Sequence, residues 1–277
     1  MFEQSYHASL KRDNLAREDH FSSRKDQSLQ AAQEVTDSVA VVSHDGQRYS
    51  SPRHTHPRAQ LLYAIKGVIS VTTDNGTWVV PPSRAVWLPA NTEHETSSRS
   101  SVQFRCLMID TGNIPNLPDE CMVVDVTPLL RELILKLAEL AAHREENRKM
   151  ADAVVRLLLL ELSFSPVRAL NLPMPQHHEL AQLCESARND LPNRISIDTA
   201  ASALHMSRAT FMRLFQRETG MSFGRWYQQA RMLNALSLLA EGRGILDVAF
   251  ECGYDSPSAF SAMFRRSLGC APSTYFE

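Results

Sequence analysis

Two stretches near the carboxyl end, SRATFMRLFQRETG at Ser207–Gly220 and SPSAFSAMFRRSLG at Ser256–Gly269, carry one pattern written twice, forty-nine residues apart. Ser207 matches Ser256, Phe211 matches Phe260, Phe215 matches Phe264, Arg217 matches Arg266 and Gly220 matches Gly269. The register extends outward to Ala200 with Ala249, Trp226 with Tyr275 and Tyr227 with Phe276. Self-similarity at one fixed offset marks a duplicated supersecondary unit. Each copy reads as a short helix (Ala200 to Leu204, Val248 to Glu251), a tight turn, and a second helix opened by serine. A serine hydroxyl caps the free amides of a first turn, and Pro257 suits the first helical position of the second copy. Phenylalanines four apart share one buried face, and Gly220 and Gly269 end the helices where a left-handed residue is wanted.

The opposite face of each second helix is polar or small: Arg208, Thr210, Met212, Arg213 and Gln216 in the first copy, Ser258, Ser261, Ala262 and Arg265 in the second. Arginine forks onto guanine, glutamine onto adenine, and small or methyl-bearing side chains meet thymine methyls, so these positions suit readout in a major groove. Arg217 and Arg266, with Arg225, Arg231 and Arg243, fit phosphate or structural roles. Residues 177–277 hold ten arginines, no lysine and ten carboxylates, so no net field draws this half to DNA. Arginines on one helix pair are by themselves most simply solvated; duplication shifts the balance, because tandem units can meet successive major-groove segments about 34 Å apart.

The run from Ile245 to Phe276 resembles the signature of the AraC/XylS family of transcription regulators, through Ala249, Gly253, Tyr254, Phe260, Phe264, Arg265, Gly269, Pro272 and Tyr275. The resemblance covers about the last hundred residues. It implies two helix-turn-helix units joined by a linking helix at about Ser222 to Leu239, binding double-stranded promoter DNA, with RNA polymerase as a further partner if the protein activates. One departure is visible: Ser258, Ser261 and Ala262 are short where base-reading side chains would be longer. The first copy is therefore expected to be the principal base reader, and the second to serve phosphate and shape contacts.

The remaining chain is long enough for a second domain: 277 residues in all, 43% hydrophobic, with a net charge of −2. Cys106, Cys121, Cys184, Cys252 and Cys270 form no CxxC pair and read as reduced core fillers of a cytosolic protein. Glu3, His7, Lys11, Arg12 and Asp13 stand where a signal peptide needs an apolar stretch, and no run reaches the length of a membrane span. A soluble cytoplasmic protein without membrane contact is expected.

The predicted fold class is α+β: a cupin-like β-barrel, a helical linker and an all-α double helix-turn-helix domain. Residues 1–35, polar and aperiodic, form a flexible arm. Residues 36–112 carry short β-prone runs at Val39 to Val42, Leu61 to Ile65, Val68 to Thr72, Thr77 to Val80, Ala85 to Leu88 and Val102 to Ile109, with hairpin turns at Lys66-Gly67 and Asp74-Asn75-Gly76. Residues 113–165 hold two apolar helical stripes, the first opened by Thr127-Pro128. They serve either a helical pair packed on the barrel or the seam of a homodimer, which periodicity does not separate. Residues 166–176, rich in proline, form a linker before the DNA-binding domain at 177–277.

His54 and His56 alternate at strand period, Gln60 lies four residues on, and Pro89 precedes His94 by five. This spacing resembles the two cupin motifs, which implies histidines and an acidic residue meeting around a divalent metal. Gln60 stands where the motif has glutamate, which favours imidazole-loving Zn, Ni, Co, Cu or Fe over hard ions. The alternatives are a metal or metal-assisted effector site, or a barrel mouth whose polar groups bond one another or a small ligand. Trp78, Trp87, Tyr63, Arg84 and Arg58 are candidates for its lining. The function expected is a DNA-binding regulator controlled by a small molecule or metal; the rival is a metal-dependent cupin enzyme.

Overall fold

The computed structural model describes residues 38–112, 114, 116–143, 146–164 and 170–276. The expected arm at 1–35 and part of the expected linker lie outside the described residues. Nine strands come first: β1 (Val39–Gly46), β2 (Tyr49–His54), β3 (Ala59–Lys66), β4 (Ile69–Thr73), β5 (Gly76–Val80), β6 (Arg84–Leu88), β7 (His94–Ser98), β8 (Val102–Ile109) and β9 (Met122–Asp125). Two helices follow, α1 (Pro128–Ala141) and α2 (Arg148–Glu161), and then a tenth short strand, β10 (Asn171–Pro173). The rest is helical: α3 (His178–Asn189), α4 (Ile197–Ala203), α5 (Arg208–Thr219), α6 (Phe223–Ala240), α7 (Ile245–Glu251), α8 (Pro257–Leu268) and a 3₁₀ turn at Pro272–Thr274.

The strands form two antiparallel five-stranded sheets, ordered β1-β8-β3-β6-β9 and β10-β5-β4-β7-β2, a cupin-like sandwich. Strand β3 shows why the first sheet reads as a nearly unbroken apolar run. Leu62 and Ala64 belong to the core shared with the second sheet. Ala59, Leu61 and Tyr63 pack on the other side, among Leu130, Leu133, Ile134, Leu137 and Leu158 of α1 and α2. A strand covered on both faces loses its alternation. The buried stripes of α1 and α2 thus pack on the sheet, while Met150, Leu157 and Leu160 of α2 stay 55%, 45% and 84% exposed.

Three boundaries differ from expectation. Strand β9 pairs with β6, so the sandwich continues to Asp125, inside the span expected to be purely helical. Strands β2 and β7 carry mostly polar residues, so only their mutual pairing makes them strands; β2 tolerates Pro52 as an edge strand with a bulge between Ser51 and His54. The expected linker contributes β10, which pairs with β5 through Asn171 opposite Trp78 and Pro173 opposite Gly76. Gly76 has φ +153°, and a Cβ there would stand 2.6 Å from the Leu172 carbonyl oxygen, so only glycine lets β10 approach.

Through Leu170 and Leu172 one apolar cluster continues from the sandwich into the helical domain. Trp226 donates to the Pro173 carbonyl at 2.7 Å, and Gln176 to that of Asp74 at 2.9 Å. All five cysteines are free; burial pushes the Cys106 and Cys184 thiols up to about 12. Among the described residues, no helix is long and apolar enough to cross a membrane.

Candidate nucleic-acid interface and histidine cluster

The two units are built as the repeat predicts, with one difference of length. In the first, Ser196 caps α4 by accepting from the Thr199 amide at 3.0 Å, and Ser207 caps α5 by accepting from Thr210 at 3.2 Å. The turn between them closes with the Met206 amide on the Ala201 carbonyl at 2.9 Å, His205 taking φ +52°. In the second, α7 begins at Gly244 without a side-chain cap, and Ser256 caps α8 by accepting from Ala259 at 3.2 Å. Its turn closes with the Tyr254 amide on the Ala249 carbonyl at 2.9 Å, Gly253 at φ +71°. Ala249 therefore corresponds to Ala201, not to Ala200 as the constant offset suggested, because the second turn is one residue longer. Phe211, Phe215 and Trp226 pack on one another in the first unit and Tyr254, Phe260 and Phe264 in the second, within one continuous apolar cluster and with α6 between the units.

The outward faces are exposed as expected. Ser207, Arg208, Thr210, Met212, Arg213, Gln216 and Arg217 face solvent, as do Ser258, Ala262, Arg265 and Arg266, while Ser256 and Ser261 are half-buried. Their charges are not equally available. Arg208 pairs with Asp198 of α4 at 2.7 Å and Arg217 with Glu218 at 3.3 Å. Among the described residues, no carboxylate lies within ion-pair distance of Arg213, Arg265 or Arg266. Arg231 is structural: buried, it donates to the Cys252 carbonyl and stacks 3.7 Å over the Tyr254 ring, and burial lowers its pKa. Arg243 pairs with Glu251 at 2.6 Å. Arg194, which nothing in the sequence distinguishes, clamps the second turn by donating to the Gly253 carbonyl at 3.1 Å and pairing with Asp255 at 3.2 Å.

In the sandwich, the β2–β7 register sets His54 opposite His94. His54, His56 and His94 offer ligand atoms all within 4.8 Å of one another. Each Nδ1 faces a backbone carbonyl: Pro52 for His54 at 2.8 Å, Arg58 for His56 at 2.6 Å and Thr92 for His94 at 2.9 Å. A carbonyl only accepts, so each neutral ring carries its proton on Nδ1 and leaves a lone pair on Nε2. Burial drives the His94 pKa down to about 4 and lowers that of His56, which keeps both neutral near pH 7. Among the described residues, His94 Nε2 is buried with no hydrogen-bond partner. His56 Nε2 lies 3.0 Å from Gln60 Oε1, another acceptor. Two facing lone pairs call either for a turned amide that donates from nitrogen or for a cation between them.

The sequence-predicted set His54, His56, Gln60 and His94 is thus brought together. The suggested lining is not: Tyr63 and Trp87 pack on the helix side of the sheet, Arg84 pairs with Asp125 at 2.8 Å, and Arg58 reaches the Met108 carbonyl at 3.5 Å. Trp78 is absent from the pocket wall as well, which Tyr49, Leu62, Thr96, Phe104 and Cys106 supply around His54, Gln60 and His94. That pocket has room for about one water-sized guest.

A family model described as an AraC-like ligand binding domain matches residues 38–163, and one described as a helix-turn-helix domain matches residues 200–277. The HTH-type transcriptional regulator NimR of Escherichia coli (strain K12) is 33% identical over 238 residues, covering 86% of each chain. The HTH-type transcriptional regulator ExsA of Pseudomonas aeruginosa is 28% identical over 221 residues, 77% of this chain and 76% of that one. Among solved structures, fatty-acid-bound ToxT of Vibrio cholerae aligns with 86% of this chain and 94% of its own, at 15% identity and a TM-score of 0.37.

Proposed function

We propose, since this chain belongs to the AraC family of transcription regulators, that it works in the cytoplasm as a one-component switch whose tandem helix-turn-helix units bind a specific promoter sequence and whose sandwich senses a metal ion. The DNA-binding half is carried by one observation: two serine-capped, solvent-facing helices present Arg213, Arg265 and Arg266, which have no carboxylate within ion-pair distance among the described residues. Footprinting on the gene's own upstream DNA is expected to show protection that weakens steeply as salt rises. Absence of protection at moderate salt would overturn this reading.

The sensing half is supported by the chemistry of the donors. Three imidazoles whose Nδ1 atoms face backbone carbonyls, which leaves Nε2 as the ligating nitrogen, match the outer support that metal-ligating histidines use. His54, His56 and His94, with the Gln60 carbonyl, would hold a Zn, Ni, Co, Cu or Fe ion, and a pocket of one water's size suits an ion better than an organic effector. Such an ion would supply a positive centre among residues of β2, β3 and β7. Regulation then requires that the ion favour one arrangement of the two halves. The relatives are transcriptional regulators, which weighs against the metal-dependent enzyme.

Adding Zn(II) or Ni(II) to chelator-treated full-length protein is expected to raise Tm and change DNA affinity, and His94→Ala to abolish both effects; equal metal responses in the two proteins would sink the metal reading. Without metal, His94 titrates near 4 when folded against about 6.5 unfolded. Its contribution to stability is complete above about pH 6.5 and is lost as pH falls toward 4, because the unfolded chain binds the proton first. A pH series of melting curves on the chelator-treated protein should show that decline, flattened in His94→Ala.

A homodimer is proposed through the outer face of α2, where Met150, Ala153, Leu157 and Leu160 recur at a three-four-three spacing and are exposed. Leu160→Glu is expected to yield monomers in sedimentation; an unchanged dimer would place the seam elsewhere.

A further inference from the structure

A second pocket lies between the sandwich and the helical domain, bounded by β4, β5, the residue after β7, α3 and α6. Its polar wall includes Ser70, Arg99, Arg188, Asn189, Asn234 and Ser237, and among the described residues no carboxylate lines it. It offers several times the space of the histidine pocket. Arg188 donates to Thr77 Oγ1 at 3.2 Å and Arg99 to Asn234 Oδ1 at 3.3 Å. Among the described residues, neither guanidinium has a carboxylate within ion-pair distance.

Arg188 is only partly accessible; its burial lowers its pKa, the charge of Glu185 works against that shift, and the charge of Arg99 adds to it more weakly. Two like charges converging on a partly dry pocket repel one another and lose hydration, a cost that an anion between them would remove. Guanidinium groups match the paired oxygens of carboxylate and phosphate, and the neighbouring Ser70 and Ser237 hydroxyls can donate to the remaining ones.

We infer that this pocket binds a small anion bearing a phosphate or carboxylate group, clasped between the two halves of the protein. Arg99 belongs to the sandwich, Arg188 to α3, and Asn234 to α6, the helix that joins the two reading units. An anion held by the two arginines, with Asn234 tying Arg99 to α6, favours the docked arrangement and thereby couples its concentration to the placement of α5 and α8. This coupling is independent of the histidine cluster.

The test uses full-length protein titrated with inorganic phosphate or with succinate, against sodium chloride at matched ionic strength, while Tm and promoter affinity are followed. The expected result is a saturable rise in Tm of several degrees with phosphate or succinate, accompanied by a change in promoter affinity and absent in Arg188→Gln. Arg99→Gln, at an exposed position, gives the same readout should Arg188→Gln fold poorly. A response to phosphate alone assigns a phosphate ligand, and a response to succinate alone a carboxylate. No response beyond chloride, or the same response in Arg99→Gln, overturns the proposal. So does a third outcome, in which the anions do nothing but each variant lowers the salt slope of DNA binding by about one, since the arginines would then be phosphate contacts of DNA.

Discussion

The first helix-turn-helix unit opens both of its helices on serine, Ser196 and Ser207, and crosses its turn at His205. The second opens on Gly244 and Ser256, spends one more residue in the turn and crosses at Gly253, where a Cβ would stand 2.5 Å from the Leu191 carbonyl oxygen. Arg194 and Arg231 fasten that longer turn to the loop after α3 and to α6. The first unit is joined instead to the segment before α3, where Glu218 of α5 accepts from the Gln176 and His177 amides at 3.2 Å. The two copies therefore share a core plan and differ in everything that meets a neighbour. A duplicated sequence preserves what packing needs, while the surfaces are free to specialise.

The largest effects should fall on what the copies share. Phe215→Ala and Phe264→Ala each empty a fully buried aromatic site, and each is expected to cost about 3–5 kcal/mol in denaturant unfolding. A loss confined to one of them would mean that the two aromatic groups are not equivalent.

Next comes the difference in reading. Arg213→Ala is expected to lose about 1–3 kcal/mol of affinity for the specific site and to relax its base preference. Arg265→Ala should weaken specific and nonspecific DNA alike and reduce the salt slope by about one. Competition binding to matched and scrambled sites separates the two behaviours, and equal loss of specificity would erase the distinction between copies. Arg208→Ala should cost less affinity than Arg213→Ala, since Asp198 already holds Arg208 at 2.7 Å. Asp198→Ala frees that arginine and should bring its contribution closer to that of Arg213.

The smallest effect concerns the missing cap. Gly244→Ser supplies the hydroxyl that Ser196 gives the first unit, and its new Cβ meets only Asp247, 3.6 Å away. A gain of a few tenths of a kcal/mol is expected in thermal unfolding.

Much of this was legible because it depends on local chemistry. The capping serines, the phenylalanines four apart and the terminal glycines all announce themselves within a few residues, and Thr127-Pro128 opens α1 as its sequence indicates. Strands β2 and β7 were not legible, because Tyr49–His54 and His94–Ser98 lack an apolar run and acquire their conformation by pairing with each other. The side of the sheet taken by Tyr63 and Trp87 was likewise hidden, since β3 and β6 are covered on both faces and carry no polar alternation to mark the inside. The extra residue in the second turn escaped the constant offset because the match of Ala200 with Ala249 was coincidental.

The sequence by itself determined the duplication, the helix starts and stops, and the set of three histidines with a glutamine at cupin spacing, because each is written in nearest-neighbour chemistry. Only the tertiary structure decided which arginines are free, since a counter-ion such as Asp198 or a carbonyl such as that of Cys252 comes from another element. It also fixed the histidine tautomers, the docking of β10 over Gly76, and the meeting of Arg99 with Arg188 in one pocket. Burial and pairing across long sequence separations set the charge and proton state of a side chain, and those are properties of the folded neighbourhood.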